Sequence, residues 1–158
     1  MTPKSADPNR YKLHVVSFSV VREAAPEPQP RPKLNDPNAV AHLARQIITD
    51  DAKEHFWMLL LDAQNGLVAA HHVSTGTLSA SLVHPREVFG PALRVLGVAS
   101  VVLIHNHPSG DATPSREDLR LTRQLVEVGR LLDIRVHDHV IIGNGGDEYV
   151  SLAQRGHV

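Results

Sequence analysis

The hydrophobic pattern along the chain switches repeatedly between short continuous apolar runs and stretches with a helical spacing. In "HFWMLLLD" every position from 56 to 61 is apolar, which predicts a strand buried on both faces rather than one with a wet side. "SVVLIHNH" is a second run of this kind, ending at two histidines. "IRVHDHVIIG" and "EYVSL" predict a closing pair of strands, and "KLHVVSFSVVR", residues 12 to 22, reads as an early one. Three stretches read as helices instead. Val40, Leu43, Ala44 and Ile47 recur on one helical face, with Asn35 or Asp36 available as the cap and Pro37 in the first turn. "HPREVFGPALRVLG" predicts a helix from near Pro85 with Val88, Phe89, Ala92, Leu93 and Leu96 inward, kinked where Pro91 removes a backbone donor. Ser115 opens the third, "SREDLRLTRQLVEVGRLL".

Turn residues divide these elements. Asn65-Gly66 is a hairpin signal and Gly76 predicts a further turn or bulge, so three consecutive strands are expected between 56 and 83. The prolines of "AAPEPQPRPK" favour an extended linker without ladder bonds. The expected organisation is an N-terminal strand and proline-rich linker over 1–35, followed by one domain over 36–158. Interleaved helices and strands place that domain in the α/β class, with α+β layers as the variant. No internal repeat is present.

Composition narrows the chemistry. At 158 residues, 42% hydrophobic and 21% charged, the chain fits one domain with a single sizeable core. A net charge of -1 gives no overall attraction to nucleic-acid phosphates or an anionic membrane. The first residues, "MTPKSADPNRYK", lack the apolar core of a signal peptide, and no apolar run is long enough to span a bilayer. A cytoplasmic location is therefore expected. With no cysteine, disulfides, iron–sulfur clusters and cysteine-based zinc sites are excluded, and any metal must be held by histidine and carboxylate. There are 11 histidines, of which His14, His42 and His157 lack partners at ligand spacing and read as surface or half-buried rings.

His105 and His107 are two apart at the end of a strand, so their rings face the same side. A turn containing Pro108, Gly110 and Pro114 then brings Asp118, in the first turn of the next helix, back toward them. Two neutral imidazoles and one carboxylate suit zinc and leave a fourth position for water, the pattern of a catalytic site. Spacing alone leaves a second reading open. Ser115 followed three residues later by Asp118 also resembles a capping box, with the acid favoured by the helix dipole, and "NHPSGD" alone also reads as a polar turn. The letters HNH do not indicate a nuclease of that name, whose residues are dispersed over a ββα unit on a basic surface. His71 and His72, adjacent on a strand, point to opposite faces and cannot easily share a metal.

"HNHPSGDATPSRED" resembles the signature of the JAMM metalloproteases, or MPN-plus domains: His-x-His-Pro, then Pro-Ser, then Asp at fixed spacing. Together with "GTLSASLVHPREVF" and "HDHVIIG", it resembles the bacterial RadC-like branch of that fold, from about Asp36 to Leu152. The resemblance implies a mixed sheet flanked by helices and zinc held by His105, His107 and Asp118. It also implies that Glu54, ahead of an early strand, is the essential glutamate; without the resemblance it would not stand out from Asp51, Asp62 or Glu87. Ser115 matches the family serine that helps hold the developing oxyanion, a role compatible with capping the helix. His137, Asp138 and His139 look like a second ligand set, but the similar residues of relatives lie outside the triplet, so a structural role is favoured.

These roles imply an amide hydrolase: a zinc-activated water, Glu54 as proton acceptor and donor, and a protein or peptide as substrate. Two rivals follow from the family. RadC-like proteins are associated by name with DNA repair, but the charge does not support nucleic-acid binding, and ahead of the domain this sequence is expected to form a strand-like segment and proline-rich linker rather than the helix-hairpin-helix region that many carry. MPN-minus relatives are non-catalytic interaction modules that have lost ligands, whereas all four key residues are retained in this chain. An exposed edge at 12 to 22 would pair either with the main sheet or with a second copy, giving a homodimer.

Overall fold

The computed structural model describes residues 30–50, 52–76 and 83–158. The strand expected over 12 to 22, its linker, and the third strand expected after Gly76 lie outside or largely outside these residues. The elements run α1 (Pro37–Ile47), β1 (His55–Leu61), β2 (Leu67–Thr75), α2 (Pro85–Ala92), β3 (Ser100–His107), α3 (Arg116–Leu131), β4 (Arg135–Gly143) and β5 (Tyr149–Ser151). The strands form one sheet in the order β2-β1-β3-β4-β5. β1 is antiparallel to β2 and β3, β4 is antiparallel to β5, and β3 and β4 are parallel. That parallel pair requires a crossover, and α3 supplies it. The result is a mixed five-stranded α/β sheet with helices on both faces.

Alternation along the central strands divides the core in two. Leu59, Leu61, Val102, Ile104, Val140 and Ile142 face α1 and pack on Val40, Ala41 and Ala44. Phe56, Met58, Leu60, Val101, Leu103 and Val136 face the opposite way, onto Val88 and Phe89 of α2 and Leu121 and Leu125 of α3. Burial on both sides explains the unbroken apolar runs of β1 and β3. Of the two caps considered for α1, Asp36 is the one used: its carboxylate accepts the Ala39 N–H at 2.9 Å. The hairpin at Asn65-Gly66 is also present, with Asn65 at φ 59° and the Asp62 carboxylate accepting the N–H groups of Gln64 and Gly66.

α2 corrects one expectation. Val88, Phe89 and Ala92 are buried, but Leu93 and Leu96 are 60% and 94% exposed. The helix ends at Ala92, one residue after Pro91, so the chain leaves its helical phase before these leucines could turn inward. His42 and His157 are exposed, as their lack of ligand-spaced partners suggests.

Candidate metal centre

His105 and His107 leave β3 on the face covered by α3, and Asp118 enters from the first turn of that helix. The two Nε2 atoms are 2.9 Å apart, and each lies 3.4 Å from a carboxylate oxygen of Asp118. A tetrahedral zinc site with bonds of about 2.0–2.1 Å has edges between ligand atoms of about 3.3 Å. The two histidine-to-carboxylate separations match that edge and the Nε2 pair is a few tenths of an ångström short of it, so the three side chains could hold a small divalent cation after a slight spreading of the rings. Among the described residues this is the group of histidine and acidic side chains that can hold a metal ion.

The path back from strand to helix is built by close backbone approach. His107 O accepts the N–H groups of Gly110 and Asn144, tying the turn to the end of β4. A Cβ at Gly143 would collide with the Gly110 carbonyl, so only glycine allows the two segments to approach this closely. The turn then positions Asp111, whose carbonyl accepts from His107 Nδ1 at 2.7 Å and leaves Nε2 toward the cluster.

At the start of α3 the capping box of Ser115 and Asp118 is present, and it is compatible with Asp118 as a member of the convergent group. Ser115 Oγ accepts the Asp118 N–H at 3.1 Å, and the Asp118 carboxylate accepts the Ser115 N–H at 2.6 Å. The box orients the carboxylate toward the histidines. The Ser115 hydroxyl also bonds to the Asp118 carboxylate, so the serine both accepts from and donates to the same residue.

Burial and charge prepare the cluster for a cation. His105 is fully buried, and burial with the neighbouring His139 depresses its pKa, keeping the ring neutral with a lone pair to offer. Burial pushes Asp118 upward, but hydrogen bonds from His107 and from the side chain and backbone of Ser115 outweigh it and hold the carboxyl well below its usual range. His107 is raised, first by its bond to Asp118, and the charge of Glu54 contributes in the same direction. Glu54, half-buried just ahead of β1, is thus close enough to the site to be felt there.

Two supporting residues, Asn106 and Thr122, escaped the sequence reading, and a third, His139, lies closer to the site than that reading placed it. Asn106 lies between the two histidines and points to the other side of the strand; its Oδ1 accepts the His55 N–H at 2.8 Å and its Nδ2 donates to Lys53 O at 2.9 Å. It grips the backbone on both sides of Glu54. Its position inside His-x-His was the available signal. His139, read as structural and outside the triplet, is not a member of the convergent cluster but touches it: its Nε2 is 2.8 Å from His105 Nδ1. Thr122, one helical turn after Asp118, holds the far nitrogen of His139 at 2.6 Å. Asp138 does serve structure, accepting from Ser151 Oγ and from the N–H groups of His139 and Ala153. His71 and His72 do face opposite ways: His71 bonds to the Glu87 backbone of α2, while His72 lies 4.6 Å from Trp57.

The family described as "RadC-like JAB domain" matches residues 34–157. A UPF0758 protein of Syntrophotalea carbinolica is 46% identical over 140 residues, covering 88% of this chain and 60% of its own length. A UPF0758 protein of Methanosarcina mazei is 48% identical over 130 residues, with coverages of 82% and 56%. A third, of Rubrobacter xylanophilus, is 48% identical over 126 residues, with coverages of 80% and 54%. The chain thus spans little more than half the length of these curated relatives.

Proposed function

The chain belongs to the RadC-like JAB domain family, and on that premise we propose that it is a zinc-dependent hydrolase of peptide or isopeptide bonds. The observation that carries this reading is the convergence of His105 Nε2, His107 Nε2 and the Asp118 carboxylate, with the charge of Glu54 beside them. Two imidazoles and one carboxylate make a ligand set with a position left for water, as catalytic zinc sites have. Zinc, when bound, supplies Lewis acidity, lowering the pKa of a water ligand toward about 7 and polarising the substrate carbonyl.

The chain's own residues complete the reaction. Glu54 accepts a proton as the water oxygen bonds to the carbonyl carbon, and delivers it to the amine as the C–N bond breaks. Ser115 turns its hydroxyl from the Asp118 carboxylate to donate a hydrogen bond to the developing oxyanion, while its Oγ goes on accepting the Asp118 N–H. Asp111 and Asn106 hold His107 and the Glu54 backbone in place. The substrate partner is a protein or peptide chain.

The test is a purified-protein measurement. Stoichiometric zinc, together with loss of peptide or isopeptide turnover in Glu54→Gln, is the expected result. Equal turnover by wild type and Glu54→Gln would overturn the assignment. An immobilised Glu54→Gln protein, able to bind but not cut, is the reagent with which to capture the substrate.

A further inference from the structure

We propose that His139 and Thr122 are positioning residues that dictate which nitrogen of His105 carries the proton, and thereby keep its Nε2 bare for a cation. This rests on the metal-site reading above but not on any hydrolytic activity.

Thr122 Oγ1 lies 2.6 Å from the backbone carbonyl oxygen of Asp118. A carbonyl can only accept, so the single hydroxyl proton is committed to that bond. The same Oγ1 lies 2.6 Å from His139 Nδ1. With no second proton on the hydroxyl, Nδ1 must be the donor. His139 is completely buried, and among the described residues its two nitrogens hydrogen-bond to Thr122 and His105, neither of them an anion. A buried imidazole without an anionic partner stays neutral, so its one proton sits on Nδ1 and its Nε2 is a lone pair. That lone pair is 2.8 Å from His105 Nδ1, which must therefore donate. His105, also fully buried, then has no proton left for Nε2, the atom that faces His107 and Asp118.

The polarity of this chain of bonds is set at one end by a helix backbone carbonyl and read out at the other by a metal ligand. It also closes on itself, because the carbonyl belongs to Asp118, whose carboxylate is the third member of the cluster. Were the polarity reversed, His105 would present an Nε2–H to the cluster and exclude a cation. The two histidines use different devices. His107 gives its outer N–H to the Asp111 carbonyl, the common arrangement for a ligating imidazole, whereas His105 depends on a neutral histidine whose own tautomer needs a third residue.

The experiment has two arms. The first is nitrogen-15 NMR of the histidine rings in the metal-free protein at alkaline pH, where His107 is also neutral. Both His105 and His139 are expected to be protonated at Nδ1 and bare at Nε2; an Nε2–H on His105 overturns the proposal. This arm needs neither zinc nor a substrate, so its failure is distinct from failure of the hydrolase assignment. The second arm is zinc affinity by chelator competition. Thr122→Val, which removes the hydroxyl at nearly constant volume, is expected to lose about 10- to 100-fold. Thr122→Ser, which restores the hydroxyl, is expected to regain wild-type affinity and the wild-type tautomers. A Thr122→Val protein that melts at a lower temperature but binds zinc as wild type does would show a merely structural role and overturn the proposal. If Thr122→Val does not fold, the NMR spectra of wild type and Thr122→Ser decide it.

Discussion

Asn106 Oδ1 accepts the backbone N–H of His55 at 2.8 Å, so one side chain of β3 holds the start of β1 directly beside Glu54. The same amide donates to Lys53 O, and Asn106 is fully buried, so truncation would orphan two backbone groups. Asn106→Ala is expected to cost about 1–3 kcal/mol in urea unfolding, from the unsatisfied partners. Because Asn106 points away from the His105–His107 face, zinc affinity should stay at its wild-type value while turnover falls through loss of Glu54 placement. Weakened zinc binding with unaltered turnover would contradict this division of labour.

The helix cap formed by Ser115 and the oxyanion contact proposed for it are separable. Ser115→Ala removes the cap of α3 and should lower stability by about 1 kcal/mol. Ser115→Asp retains a capping acceptor but has no hydroxyl proton to donate. It should recover most of the lost stability and none of the lost turnover. Recovery of both would leave Ser115 as a cap only.

Stability of the metal-free protein should fall as pH drops from neutrality. Burial lowers the His139 pKa from 6.5 to about 4, and His105 is lowered in the same direction. Between those values the unfolded chain binds protons that the folded chain refuses, so stability decreases with falling pH. The His139 shift alone corresponds to about 3 kcal/mol across that window, as an order of magnitude. Denaturant midpoints at several pH values measure it. His139→Gln should flatten the curve, and an unchanged slope in that variant would refute the origin.

Zinc affinity should rise with pH. His107 is held protonated above its usual range, chiefly by its bond to Asp118, and a proton on its Nε2 occupies the direction a cation needs. Below the raised pKa, binding must displace that proton; above it, the lone pair is already free. Calorimetric titrations in buffers of differing ionisation heat should report proton release at neutral pH and progressively less at alkaline pH. Proton release that does not change with pH is the contrary result.

Gly143→Ala tests how the turn is held. An added Cβ would strike the Gly110 carbonyl, so either β4 or the turn must shift. The expected cost is about 1–3 kcal/mol. Zinc affinity should drop as well, because the turn carries the Asp111 carbonyl that orients His107. Wild-type affinity in this variant would mean the turn is free to relax.

Much of this was legible from local pattern. His105 and His107 share a face because they are two apart on a strand, and the Pro108 to Pro114 turn with the Ser115 cap returns Asp118 to them. The apolar runs of β1 and β3 marked strands covered on both sides. Reading Leu93 and Leu96 as inward failed because periodicity continues on paper past the point where Pro91 and the following turns end the helix. Glu54 had no local mark at all. Its selection needed the family resemblance, since a charge beside a strand is ordinarily a solvated edge.

The sequence by itself determined which three side chains converge: side-chain period, turn residues and the helix cap act over a few residues, and they place two imidazoles and a carboxylate together. What only the tertiary structure decided is the support behind them. Along β3 and β4, Val101 and Val102 are consecutive but pair with Val136 and Asp138, so His137 is an extra, unpaired residue. That bulge shifts the phase of β4 and brings Val136 and His139, three apart, to the same face. Simple alternation would have turned His139 away from α3 whenever Val136 faced it. The contact between His105 and His139 spans 34 residues of chain and depends on this one-residue slip between neighbouring strands, a long-range pairing that no local pattern encodes.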